Sequence, residues 1–149
     1  MDYITTYKVY VKTDDEGVVT AINSSAFLTD TTGWTKIDEG TSDKYHHAQN
    51  HYLDKPLVDD RGIYNYKLVD GKPVLRTNED KLPEVDKLNA AAEIAKLKAQ
   101  LAATDYITAK LAEVVDDEEK YAATKKEYTE ELAHRAYWRS RINELEATL

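Results

Sequence analysis

Residues 78–104 read NEDKLPEVDKLNAAAEIAKLKAQLAAT, and this stretch decides the fold. It contains no glycine, strengthens its helix propensity with Ala90 to Ala92, and spaces Ile94, Leu97 and Leu101 three and four apart. Pro83 suits a first helical turn and Asn78 or Asp80 a cap, so the pattern predicts a helix over about 82–103. All five glycines, at 17, 33, 40, 62 and 71, lie before it. A glycine-punctuated half followed by a glycine-free half predicts sheet and loop, then helices.

Downstream, Thr104-Asp105 reads as a break that caps a second helix over about 105–115, on which Ile107, Leu111 and Val114 share a face. The acidic string DDEE (116–119) suits the positive end of a third helix, over about 118–147. There Tyr121, Tyr128, Arg135, Ile142 and Leu149 recur every seven residues, with Trp138 and Leu145 in the complementary positions. Thr124 and Glu131 spoil that complement, so the heptad is good only near the C-terminus. So narrow an apolar stripe fits a helical hairpin or an oligomeric bundle, because an isolated helix would be marginal.

Upstream, Tyr7, Val9 and Val11 alternate with Lys8, Tyr10 and Lys12, the period of a half-buried strand. The turn DDEG (14–17) and then VVTAI (18–22) predict a hairpin. A second hairpin is marked more sharply: IYNYKLV (63–69) meets KPVLRT (72–77) across Asp70-Gly71, a pair suited to positive φ. Pro73 places the return strand at an edge. GWTKIDEG (33–40) reads as one short strand, and KYHHAQNHYL (44–53) as a helical turn or a loop. The expected architecture is α+β: a small antiparallel β domain over 1–77, then a helical hairpin or bundle over 78–149 that self-associates.

Composition narrows the function classes. The 149 residues are 42% hydrophobic and 32% charged, with eleven tyrosines against one Phe and one Met, a balance suited to half-buried surfaces. Residues 1–80 carry 14 acids and 9 bases, and residues 81–149 carry 14 and 11, giving a net charge of −8. Neither half has a basic run, which argues against a nucleic-acid partner. With no cysteine there is no disulfide framework, thiol nucleophile or cysteine-bound zinc. No apolar run approaches the roughly 20 residues of a membrane span, and MDYITTYKVYVK lacks a signal region, so synthesis in the cytoplasm without a membrane partner is expected.

Three of the four histidines fall in DKYHHAQNHYL (43–53). On a helix His47 and His51 share a face and Asp43 stands four before His47, so these three are weak metal candidates. No HExxH is present and zinc prefers three or four convergent ligands, so a polar turn is the favoured reading and no cofactor is expected. TDDEG, VDDRG and VDDEE lack the ligand alternation of a calcium loop and read as turns or caps. Ser24-Ser25 has no nucleophile-elbow glycines, so no catalytic residue is nominated. In AYWRSRINELE (136–146), Trp138 between Tyr137 and Arg139 has the character of an interface anchor, or equally of a cap on a two-helix core.

The string from Gly33 to Thr77 resembles a segment found near the C-termini of tail and baseplate proteins in phages of Gram-positive bacteria. The match runs from Trp34 through Ile37-Asp38-Glu39-Gly40, Asp43, Tyr45, Ala48-Gln49 and Tyr52 to the hairpin of Tyr66, Lys67, Asp70-Gly71 and Arg76-Thr77. The stretch from Asp105 to Glu146 is similar to the helical ends of the same proteins, and tail-fibre assembly chaperones carry a related acidic-helix-then-Trp ending. The resemblance spans roughly 34–77 and 104–146, and His46, His47 and His51 fall in its gaps. It implies a non-enzymatic structural or adaptor protein of the virion tail whose partners are other tail proteins and further copies of itself. Tyr137, Trp138, Ile142, Leu145 and Leu149 would form one interface, and Tyr64, Tyr66 and the 43–53 turn a second. A tail-fibre chaperone, an acidic phage-encoded inhibitor of a host protein, and a metal enzyme at His46, His47 and His51 are the alternatives.

Overall fold

A computed structural model of the chain describes residues 5–149; the first four residues of the expected β domain lie outside it. The chain divides into two compact units, Met1–Leu82 and Pro83–Leu149, and the architecture is α+β.

The first unit is built on strands β1 (Tyr7–Thr13), β2 (Val19–Ser24) and β3 (Thr35–Gly40), antiparallel in the order β2-β1-β3. Val9 and Val11 of the central strand pair with Ser24 and Ile22, so the period-2 alternation puts their side chains on one buried face. Two bulges adjust the edges. One skips Thr20 and returns Val19 to the core; the other leaves Ile37 between Asp38, opposite Val9, and Lys36, opposite Tyr10. Short helices α1 (Asp43–His46) and α2 (Ala48–His51) follow, and then the hairpin β4 (Tyr66–Val69) and β5 (Lys72–Leu75). Its turn has φ of 52° at Asp70 and 76° at Gly71, as the Asp-Gly pair predicts. A bridge from Val18 to Lys67 ties β4 to the first hairpin. Val9, Val11, Val19, Ile22, Ala48 and Tyr66 form the core, and the three valines have no solvent exposure.

Helix α3 (Asn78–Glu113) starts in this unit. Thr77 caps it, not Asn78 or Asp80: its Oγ accepts from the Asp80 N–H at 3.0 Å, and the Asp80 carboxylate accepts from the Thr77 N–H at 2.9 Å. Pro83 consequently lies beyond the first turn, inside the helix. In the first turn Lys81 is only 7% exposed, and its ammonium meets Asp59 at 3.0 Å and Asn65 at 2.6 Å. A buried cation is tolerable only with such partners. They make this turn part of the β unit, although the composition change lies at residue 78.

In the second unit α3 runs through Thr104-Asp105, where the sequence predicts a break. Thr104 caps nothing; its hydroxyl back-bonds to the carbonyls of Gln100 and Leu101 at 2.9 and 3.2 Å. Arg135 donates to the Leu101 carbonyl, to Thr104 Oγ and to Asp105, so groups that ordinarily end a helix find partners without ending it. The expected third helix is divided at Tyr128 (φ −107°, ψ 26°) into α4 (Glu118–Glu127), capped by Asp117, and α5 (Thr129–Glu146). Thr129 back-bonds to Lys125 and Lys126 at this irregularity. Helix α5 returns antiparallel along α3: Tyr128 meets Tyr106 and Lys110, Arg135 meets Leu101 to Asp105, and Arg141 meets Glu93. The seam holds Ala90, Ile94, Leu97, Ile142 and Leu145, with Trp138 and Leu101 half-buried beside it.

Candidate functional site

Residues 43–53 present two chemically different faces. Tyr45, Ala48 and Tyr52, at helical spacing, turn inward onto the β core together with Leu53. Gly40 makes this docking possible, since a Cβ at that position would collide with the Tyr45 ring. The Tyr52 hydroxyl donates to Asp38 at 2.8 Å, and burial, followed by that carboxylate, pushes its ionisation well above the tyrosine range. Burial alone would raise Asp38, but hydrogen bonds from Tyr52 and the Glu39 N–H outweigh it and hold the carboxyl low. Of the positions in the tail-protein resemblance, Tyr45, Ala48 and Tyr52 thus do packing work.

The outward face carries the histidines. His47 Nδ1 lies 2.5 Å from Asp43 Oδ1, and this hydrogen bond holds the Asp43 carboxyl below its ordinary range. His51 Nε2 is 3.5 Å from the other carboxylate oxygen. His46, which helical spacing from His51 does not single out, also joins: Asp43, His46 and His47 each offer a ligand atom within 4.8 Å of the others. Its ring is stacked on Tyr7 at 4.5 Å and on Phe27 at 5.6 Å, which fixes it against the sheet. Beside this segment a cleft of about 460 Å³ is lined by Gln49, Asn50 and Leu53 to Leu57.

The nominated interface residues separate. Ile142 and Leu145 are buried against α3 of the same chain, and Trp138 flanks that seam half-buried, so the reading of Trp138 as a cap on a two-helix core describes its place. Tyr137 and Leu149 stand out, at 63% and 56% exposure. In the β unit Tyr66 is a core residue, with its hydroxyl accepting from the Lys55 N–H at 2.8 Å, which corrects its assignment to a surface; Tyr64 is half-buried.

The acidic strings serve as turns and caps. Asp14 accepts from the N–H groups of Glu16 and Val18, Asp59 from those of Arg61 and Ile63, and Asp117 from that of Lys120. Asp59 also receives Arg61 and Lys81, and these bonds hold its carboxyl far below the usual carboxylate range. Two basic residues with structural roles escaped the sequence reading. Lys81 gives no signal beyond a charge in a first turn, whereas Arg135 stands in the heptad of Tyr121, Tyr128, Ile142 and Leu149, where a charge signals a specific partner.

Comparison with family models, with curated proteins and with solved structures finds no match.

Proposed function

We propose that the chain is a non-enzymatic structural or adaptor protein of a phage tail or baseplate. It acts through protein–protein contacts and associates with further copies of itself through the helical unit. One observation carries the association: within Pro83–Leu149 only Ala90, Ile94, Leu97, Ile107, Arg135, Ile142 and Leu145 are buried, while Leu88, Tyr106, Val115, Tyr137 and Leu149 remain exposed. Two helices share only a seam, and a unit this thin gains most by burying its remaining apolar surface on another chain. The strings at 34–77 and 104–146 that resemble tail and baseplate proteins suggest the setting. Tyr137, Leu149 and the exposed edge of Trp138 are the contact residues, and Tyr64 with the 43–53 segment forms the second surface.

The test has two parts. Sedimentation velocity across the micromolar range should give a species heavier than the 17.0 kDa chain, and a strict monomer at high micromolar concentration overturns self-association. Detection of the chain in purified virions supports a tail component. Its presence on fibre subunits in lysate but not in virions would instead indicate an assembly chaperone, and recovery of one host enzyme would indicate an inhibitor.

A further inference from the structure

The outward face of residues 43–51 has features that a polar turn does not require. Three imidazoles gather around one carboxylate: His46 also packs on Tyr7 and Phe27, but the approach of His47 and His51 to Asp43 is not needed to hold α1 and α2, which Tyr45, Ala48 and Tyr52 anchor. We infer that Asp43, His46 and His47, with His51 beside them, form a binding site for one imidazole-preferring divalent cation of the zinc and nickel class.

Three observations carry the inference. The first is convergence. Ligand atoms of Asp43, His46 and His47 lie within 4.8 Å of one another, against the roughly 3.3 Å separation set by metal–ligand bonds of about 2.0–2.1 Å in a tetrahedral site. Asp43 Oδ1 and His47 Nδ1, 2.5 Å apart, must open toward that separation, and side-chain rotation of Asp43 allows it because its side chain is 65% exposed. The second is order. His46 is stacked on Tyr7 and Phe27, so one ligand is already oriented and the cation immobilises fewer side chains on binding. The third is donor chemistry. Imidazole nitrogens with a single carboxylate suit Zn²⁺ and Ni²⁺, whereas Ca²⁺ and Mg²⁺ demand six or more oxygens, which this face does not offer. His51, 3.5 Å from the second Asp43 oxygen, either completes the coordination or steadies the carboxylate from outside it. The site lies within the β unit and stands independently of any tail partner.

The experiment is calorimetric titration of the full chain, freed of any purification tag, with ZnCl₂ and separately with MgCl₂ and CaCl₂. The expected result is one Zn²⁺ per chain in the micromolar range, with no comparable binding of Mg²⁺ or Ca²⁺. His47→Ala and Asp43→Asn should each weaken Zn²⁺ by at least about tenfold, the scale of losing a partner at a metal site. His46→Ala/His47→Ala should abolish binding, and His134→Ala, on α5, should change nothing. Equal affinity in the double variant, or equal binding of Ca²⁺, overturns the site. Should a variant misfold, imidazole NMR of the unaltered chain decides the matter: Zn²⁺ must perturb His46 and His47 and leave His134 unmoved, and a uniform response of all four rings also overturns it.

Discussion

The two units solve the burial problem differently. In the β unit, elements arrive from several directions: a three-stranded sheet, the 43–53 segment and the second hairpin close over small side chains, and Val9, Val11 and Val19 reach zero exposure. In the helical unit two elements meet along a line. Ile107 alone reaches zero, and the seam residues Ala90, Ile94, Leu97, Ile142 and Leu145 all stop at 7–8%. A core needs cover on more than one side to exclude water, and a helix pair provides only one seam. Stability from packing is therefore expected to concentrate in the first unit, and unfinished apolar surface to matter most in the second.

Substitutions can break that comparison. Ile107→Ala removes the one fully buried side chain of the helical unit and should cost about 3 kcal/mol in urea unfolding followed by helical circular dichroism. A loss below about 1 kcal/mol would mean that the helices are not held where this contact places them. Arg135→Met keeps the bulk but removes the bonds donated to the Leu101 carbonyl, Thr104 Oγ and Asp105, an expected loss of about 2 kcal/mol. In the β unit Gly40→Ala forces the Tyr45 ring aside, costing about 1–2 kcal/mol and lowering the melting temperature without loss of helicity. The acid flank should be gentler. The Thr77 N–H and then Lys67 hold Asp80 down to about 2 from its ordinary 3.8, so its contribution is complete above about pH 4 and disappears as pH falls toward 2. Melting curves for Asp80→Asn should be flatter over that window than those of the unaltered chain, and identical slopes would remove Asp80 from the account. Smallest for the single chain is Tyr137→Glu, within about 0.5 kcal/mol, yet it should abolish self-association in sedimentation.

Legibility in the sequence followed the range of the interactions. The Asp70-Gly71 turn, the alternation over Tyr7 to Val11 and the glycine-free helices rest on neighbouring residues and could be read directly. The pairing of β3 with β1 and the bulge at Ile37 depend on partners some 24–33 residues distant, and no local signal announces them; the bulge at Thr20 lies within the first hairpin, where the alternation alone does not mark it. Thr104-Asp105 is the clearest case. Locally it is a good stop signal, overridden by Arg135 from 31 residues further on. At the histidines the spacing of Asp43, His47 and His51 was visible. His46 could be named only as a neighbour in the string; the direction of its ring was not legible, because Tyr7 and Phe27 aim it from other parts of the sheet unit.

The Arg135 contact also bears on how the helical unit assembles. The Thr104 hydroxyl finds carbonyl partners within α3, whereas the bonds from Arg135 to Leu101, Thr104 and Asp105 exist only once α5 has docked, so the run of α3 past Thr104 draws on a tertiary contact. The first turn of α3 is held by its own cap and by Lys81, while the turns from Ala90 onward gain their packing from the returning helix. Amide exchange should therefore proceed in two tiers along one unbroken helix. The amides from Ala90 to the end of α3 should open together with α5, which covers them, and those of the first turn, held by the Thr77 cap and Lys81, should outlast them.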